Sequence, residues 1–302
     1  MEIKTKGNIF GLAAITLWSA SALFVALSGT TPPFLIGTIS GAICASFYLI
    51  RSFFIKDGIK NFINIRLKNC LIPILGIFFY LSCYLIAFKL APAVEVNLLN
   101  YLWPLLIVFL GAFIFKNNDF KLLDAVGMVL GFIGAGVIFG ADFLQSHVNF
   151  TVLAGYGLAT LAAIIWASYS NMTRMSPNQP NDMGFIYLMT SILFLICHLI
   201  FEEPSFEKLA NLDLYYWLAI LGLGLSNLGY ACWDFAMKHG EVTLLASLSY
   251  CIPLFSTLLL LIFHDQVVSG SLTASALLII SACLIVNAKS IKKIILKQNH
   301  TV

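Results

Sequence analysis

Ten stretches of this chain are nearly free of charge, and each is about as long as a bilayer crossing. They cover residues 8–28, 34–53, 70–88, 93–115, 122–140, 151–172, 183–201, 214–237, 242–263 and 271–288. About 20 apolar residues are needed to cross a hydrocarbon core of about 30 Å as a helix. The acidic residues inside the windows are Glu95, Asp124 and Asp234, and Arg51 sits near the end of the second window. The connecting segments leave no room for a soluble domain, and the longest, 54–69, reads as a surface-lying piece. An all-α integral membrane protein of ten transmembrane helices is expected.

Composition agrees with this fold class. Of the 302 residues, 60% are hydrophobic and 10% charged, whereas a soluble domain carries about 25% charged residues. Disorder is excluded by the same proportions. A nucleic-acid-binding surface is excluded too, because a net charge of +3 over this length makes no basic stripe. The seven cysteines lie in or at the start of apolar windows and form no C-x-x-C pair, so neither a metal site nor a disulfide framework is indicated. No cofactor is expected.

The Lys and Arg residues give the orientation. With the N-terminus inside, all of the 17 except Lys89 and Lys208 fall on the inner side. This is a strong positive-inside bias, and it puts both termini in the cytoplasm of a multi-pass plasma (inner) membrane protein. Cleavage of the first window as a signal peptide would leave nine windows and break the repeat described next.

The second half of the chain repeats the first at an offset of 149 residues. Pro104 falls on Pro253, Lys89 on Lys238, Ala87 on Ala236 and Tyr84 on Trp233, while Trp18 and Trp166 lie 148 apart. Two repeats are therefore expected, 1–145 and 146–302, each with five windows. An odd number of crossings inverts the second repeat relative to the first. Inverted repeats suit alternating access, with substrate held near the midplane between the halves. A duplicated scaffold or receptor that transports nothing is the competing class.

The polar and aromatic residues inside the windows are the site candidates. In the fourth window Asn97, Asn100, Tyr101 and Pro104 share a helical face. A carboxamide has no partner in lipid, so this face meets protein or water. The two asparagines could bind a zwitterionic substrate or hydrogen-bond between helices. Trp18, Tyr80, Tyr84, Tyr101, Trp103, Trp166, Tyr169, Tyr230, Trp233 and Tyr250 supply rings on which an aromatic solute could stack, although the same residues also serve core packing. Asp234 and Glu95 are the candidates for proton coupling; Asp234 lies four residues before Lys238, the spacing of a helical ion pair. Glu95 lies near the outer end of its window, where water can solvate it. Pro104 and Pro253 are matched mid-window prolines and so candidate hinges. Gly37-x-x-x-Gly41 and Gly127-x-x-x-Gly131 fit close helix packing. No zinc-protease, nucleophile-elbow or phosphate-loop motif occurs, so an enzyme is not expected.

The sequence resembles the ten-span drug/metabolite transporter superfamily, and within it the aromatic amino acid exporter branch. The likeness rests on Val94-Glu95-Val96, Asn100-Tyr101-Leu102-Trp103-Pro104, Ile165-Trp166-Ala167-Ser168-Tyr169, Tyr230-Ala231-Cys232-Trp233, His239-Gly240-Glu241-Val242-Thr243 and Ser249-Tyr250-Cys251-Ile252-Pro253. It implies efflux of aromatic and other neutral amino acids through a central cavity, with Trp18, Asn100, Tyr101, Trp103, Trp166, Tyr169, Trp233 and Tyr250 around it. Asp234 is a departure, since the exporters carry an amide after the equivalent Trp; a cationic metabolite balanced by Asp234 is the alternative substrate. Superfamily members also move S-adenosylmethionine and nucleobases. The expected partners are a small-molecule substrate and the lipid bilayer, and the expected state is a monomer.

Labelling of single cysteines tests the orientation. Positions 58 and 297 are expected to react from the cytoplasmic face and positions 145 and 205 from the outer face; an outer reaction at 297 would overturn the ten-span reading.

Overall fold

The computed structural model describes residues 2–55, 58–63, 65–114, 122–143, 149–202, 214–249, 251–263, 270–271, 273–282 and 284–285. Tyr250 and the 145–146 repeat boundary lie outside the described residues, within which no strand occurs. Six helical stretches are long and apolar enough to cross a membrane: Ile3–Leu27, Pro33–Phe53, Leu67–Leu90, Ala93–Ile114, Phe150–Thr173 and Pro180–Phe201. The other windows contain Leu122–Phe143, Leu214–Asn227 followed by Gly229–His239, Val242–Leu248 followed by Cys251–Phe263, and Thr273–Ala282. Breaks at Leu228 and around Ser249 divide two of these windows into pieces shorter than one crossing.

Large apolar side chains point outward along these helices, among them Phe47, Phe79, Phe132, Ile196 and Phe263. In water such a surface would aggregate; in lipid it is the solvent-facing side. Helix association therefore relies on close packing and on polar contacts between helices. Gly37 and Gly41 on Pro33–Phe53 lie against Phe194 and Ser191 of Met183–Phe201, and Ser191 Oγ donates to the Thr38 carbonyl at 2.8 Å. At one end of this pair Glu202 accepts from the backbone N–H groups of Phe34 (2.8 Å) and Leu35 (3.1 Å), occupying donors that a helix start leaves unpaired.

Two further close approaches join the halves. A Cβ on Gly7 would fall 2.4 Å from the Gly240 nitrogen, so Ile3–Trp18 packs backbone to backbone against the end of Gly229–His239. A Cβ on Gly155 would fall 2.6 Å from the Ala91 Cβ, where Phe150–Thr173 meets the end of Leu67–Leu90. Gly240 and Ala91 are 149 residues apart, and Gly155 and Gly7 are 148 apart. The duplicated sequence thus yields duplicated contacts.

Adding a methyl group separates these packing sites from lipid-facing ones. Gly7→Ala is expected to destabilise the folded protein by about 1–3 kcal/mol, because the neighbouring atoms are backbone and cannot move aside. Gly136→Ala, with nothing within 4 Å of the added carbon, is expected to be neutral or slightly stabilising through its better helix propensity. Thermal unfolding of the purified protein in detergent reads both.

Candidate functional site

Four interruptions of helix face the same small cavity. The first separates Ile3–Trp18 from Ser21–Leu27, the second Ala93–Asn100 from Trp103–Ile114, the third falls at Leu228, and the fourth precedes Cys251–Phe263. Trp18 and Ser21 flank the first; Asn100, Tyr101 and Trp103 span the second. Tyr230 follows the third and Ile252 the fourth, and all these residues line the cavity. Leu67–Leu90 adds Tyr80, Leu81 and Tyr84, Phe150–Thr173 adds Trp166, and Leu214–Asn227 adds Leu223.

The freed backbone groups at the breaks are met by side chains. Ser21 Oγ donates to the Trp18 carbonyl at 2.8 Å, and Ser226 Oγ to the Leu17 carbonyl at 2.7 Å. At the Leu228 break the buried Tyr187 hydroxyl does both jobs: it donates to the Asn227 carbonyl (2.7 Å) and accepts from the Ala231 N–H (3.1 Å). At the fourth break Ser249 Oγ adds a second hydrogen bond, at 2.7 Å, to the Leu245 carbonyl, which also accepts from the Ser249 N–H at 2.9 Å. Non-helical backbone at membrane depth is tolerated where it is buried or lines a cavity.

The prolines sit differently from the sequence expectation. Pro104 is the second residue of Trp103–Ile114 and Pro253 the third of Cys251–Phe263. In a first turn the missing N–H has no intrahelical partner to lose, so each proline begins a helix and does not kink one. The bend comes from the interruption before it.

Rings fill the space between the helices. Trp166 is the hub: its ring centroid lies 5.3 Å from Trp18, 4.9 Å from Tyr80, 6.4 Å from Trp103, 5.2 Å from Tyr169 and 5.3 Å from Tyr230. The contacts with Trp18 and Trp103 are edge-to-face, at 88° and 84°. Trp233 lies 5.5 Å from both Trp18 and Trp103 and donates Nε1–H to Ser170 Oγ at 3.1 Å. Tyr80 and Tyr84 stack at 5.7 Å. The packing is close enough that the centre of a water-sized sphere can roam about 20 Å³. That admits a water and no amino acid.

Two buried polar atoms on lining residues have no hydrogen-bond partner among the described residues, the Trp18 Nε1–H donor, which lies close to the Gly229 backbone, and the Asn100 Oδ1 acceptor. Asn100 Nδ2 donates to the Tyr80 hydroxyl at 3.4 Å. Asn97 is placed otherwise. Its Nδ2 donates to Ser256 Oγ at 2.9 Å, its Oδ1 accepts from Tyr84 at 3.5 Å, and Ser256 passes a hydrogen bond to Tyr101 Oη at 3.1 Å. Asn97 therefore ties Ala93–Asn100 to Cys251–Phe263 behind the cavity wall. Tyr169 and Trp233 also stand behind the lining, as a second layer of rings.

Glu95 is half-buried in the first turn of Ala93–Asn100, where a helix start favours an acid, and it does not line the cavity. Asp234 is buried outside the cavity and fully engaged: Lys238 Nζ lies 3.0 Å away, Thr173 Oγ1 donates to Oδ1, and Asn178 Nδ2 donates to Oδ2 at 3.3 Å. The structure thus gathers Trp18, Tyr80, Tyr84, Asn100, Tyr101, Trp103 and Trp166 around one space. Tyr230, one of the rings named from the sequence, joins them, as does Ser21, which sequence reasoning did not single out as a site residue.

Comparison with known proteins defines the class. The EamA-like transporter family matches this chain twice, over residues 5–140 and 153–288. The chain belongs to that family, and it is a multi-pass membrane transporter rather than an enzyme. It is 33% identical to the aromatic amino acid exporter YddG of Ancylobacter novellus, covering 92% of this chain and 95% of that one. It is 25% identical to the aromatic amino acid exporter YddG of Escherichia coli, covering 93% and 97%. A solved crystal structure 30% identical to the chain superimposes with a TM-score of 0.68, covering 93% of this chain and 96% of the other.

The two asparagines should separate in experiment. Asn97→Ala leaves Ser256 and Tyr84 short of a buried partner and is expected to cost about 1–3 kcal/mol of stability, with solute affinity unchanged. Asn100→Ala is expected to weaken solute binding by more than it lowers the unfolding temperature. Thermal unfolding with and without added tryptophan reads both quantities.

Proposed function

We propose that this chain is a ten-span secondary transporter of the inner membrane that exports neutral, chiefly aromatic, amino acids by alternating access. In this reading residues 1–145 and 146–302 are inverted five-helix repeats and both termini are cytoplasmic. The observation that carries the proposal is the closed aromatic cavity built where four helices break. Its rings offer faces and edges to an aromatic side chain. Trp18 Nε1–H offers a donor for a carboxylate and Asn100 Oδ1 an acceptor for an ammonium group, which together match a zwitterion.

Three further observations support the arrangement. The family match recurs at an offset of 148 residues, the close approaches at Gly7 and Gly155 recur at nearly the same offset, and the names of the relatives specify aromatic amino acid export. Asp234, with its charge already balanced by Lys238 and bonded by Thr173 and Asn178, acts here as a structural anion rather than as the counter-charge of a cationic substrate.

Proteoliposomes loaded with a labelled panel of amino acids test the reading. Wild-type protein is expected to move tryptophan, phenylalanine and tyrosine down their gradients. Trp103→Ala and Trp166→Ala should each weaken apparent affinity about five- to tenfold, the equivalent of roughly 1 kcal/mol for one lost ring face, with insertion unchanged. Normal transport by both variants would make those rings packing residues and sink the stacking model.

A further inference from the structure

The two lysines related by the repeat make the same contact at equivalent positions. Lys89 closes the helix Leu67–Leu90, and its Nζ donates to the carbonyl of Gly29, in the turn before Pro33–Phe53. Lys238 lies near the end of Gly229–His239, and its Nζ donates to the carbonyl of Asn178 at 2.8 Å, in the turn before Met183–Phe201. Lys89 and Lys238 are 149 residues apart, and so are Gly29 and Asn178. Each lysine therefore pins the connection between the first two windows of its own half to the end of that half's third window. In the proposed topology one contact lies at the outer face and the other at the inner face.

We propose that these are paired gate latches, one at each mouth of the cavity, and that the outer latch is the weaker and opens first. This rests on the alternating-access reading and on its orientation. In this conformation the central space holds no more than a water, so access for a solute requires the packing at one mouth to loosen.

The asymmetry follows from two residue differences. At the inner latch the turn residue is an asparagine, so Lys238 Nζ also reaches Asn178 Oδ1 at 2.8 Å, and Asn178 Nδ2 donates to Asp234. Asp234 itself pairs with Lys238 and accepts from Thr173 Oγ1 at the end of Phe150–Thr173. At the outer latch the equivalent of Asn178 is Gly29, which has no side chain to bond, and the equivalent of Asp234 is Leu85. Gly29 takes a φ of +57°, a left-handed conformation that favours glycine, so a turn that presents this carbonyl excludes a reinforcing side chain. The outer latch also borders an open hollow lined by Val25, Gly29, Phe88, Lys89 and Pro92. The inner latch is buried: Asn178 and Asp234 are 2% and 1% exposed. Charge-assisted hydrogen bonds are the stronger kind, and Lys238 makes more of them than Lys89 does. The Glu202 carboxylate near Lys89 accepts from the Phe34 and Leu35 N–H groups and not from the lysine.

The inner latch is also tied to the rings. Trp233, next to Asp234, packs on Trp18 and Trp103 and bonds Ser170. Movement of the ring cluster must be transmitted to the residue that holds the inner turn.

The test reads access to the cavity from each face. Ser21→Cys places a thiol in the lining, and a membrane-impermeant maleimide is applied to right-side-out and to inside-out vesicles, with the parent chain's native cysteines as background. Lys89→Met is expected to raise labelling from the outer face at least about fivefold, with the inner rate unchanged. Lys238→Met would strand the buried Asp234 charge, so the inner variant is the pair Asp234→Asn with Lys238→Met. It is expected to raise inner labelling by a similar factor, and the milder Asn178→Ala by less. Before any change at the lysines, outer labelling should exceed inner labelling. Labelling that rises from the wrong face, or that responds to neither lysine, overturns the latches. Tryptophan transport is measured in parallel: normal transport with unresponsive labelling removes the latches and leaves the exporter reading, whereas face-selective labelling without transport of any amino acid does the reverse.

Discussion

Hydrocarbon offers no hydrogen bonds, so every backbone N–H and C=O at membrane depth must find its partner within the protein. The site depends on meeting this constraint at the points where helices stop. Four interruptions would be costly if they faced lipid. They are tolerable because Ser21, Ser226 and Tyr187 take up freed carbonyls and because the broken ends face one another. The cavity exists because the breaks share a centre. Rings then occupy that centre, since Trp and Tyr fill volume while keeping one polar atom to aim at a partner.

This arrangement makes the ring cluster both wall and plug. Trp166, on an uninterrupted helix, touches five other rings, so it is fixed by its neighbours and by a rigid backbone. Trp18, Trp103 and Tyr230 sit beside breaks, where small changes in backbone angle swing a side chain far. A solute ring entering the cluster would replace protein ring contacts of about 0.5–1.5 kcal/mol each with contacts of its own kind. The exchange is nearly balanced for an aromatic solute and unfavourable for a polar one. Selectivity in this account comes from what the solute displaces as much as from what it touches.

Much of this was legible in the sequence, for identifiable reasons. The apolar windows could be read because a helix across lipid must be long and nearly uncharged, and each window carries helix among the described residues. Eight of the proposed lining residues were found because polar and aromatic side chains inside such windows need a protein-facing position. The breaks were not legible. Nothing marks Ser19–Ala20 or Leu228 as a stop, since tertiary partners such as Ser226 and Tyr187 supply the compensation from distant parts of the chain. Pro104 drew attention to the right region, but the proline starts the next helix and the bend precedes it. Asn97 and Asn100 share a helical face, and spacing fixes a face without fixing depth: one reaches the cavity and the other reaches Ser256. Tyr230 is a cavity residue only because the chain breaks two residues earlier.

Duplication explains why the deviations from symmetry carry the most information. A repeated sequence repeats its contacts: Gly240 against Gly7, Ala91 against Gly155, and one lysine beneath each turn. Two identical halves would leave the two mouths energetically equivalent, and a transporter built this way would have no preferred resting side. The replacement of one leucine by Asp234 and one glycine by Asn178 in the second half removes that degeneracy. The buried carboxylate would be costly alone, so it requires Lys238, Thr173 and Asn178 together, and the cluster holds or fails as a unit. In the proposed topology a cooperative lock on one side, and on the other a lysine bonded to one carbonyl with Glu202 only nearby, bias the same fold toward one mouth. In the proposed mechanism the resting side is then set by two side chains of the inner latch, outside the ring cluster proposed to select the solute.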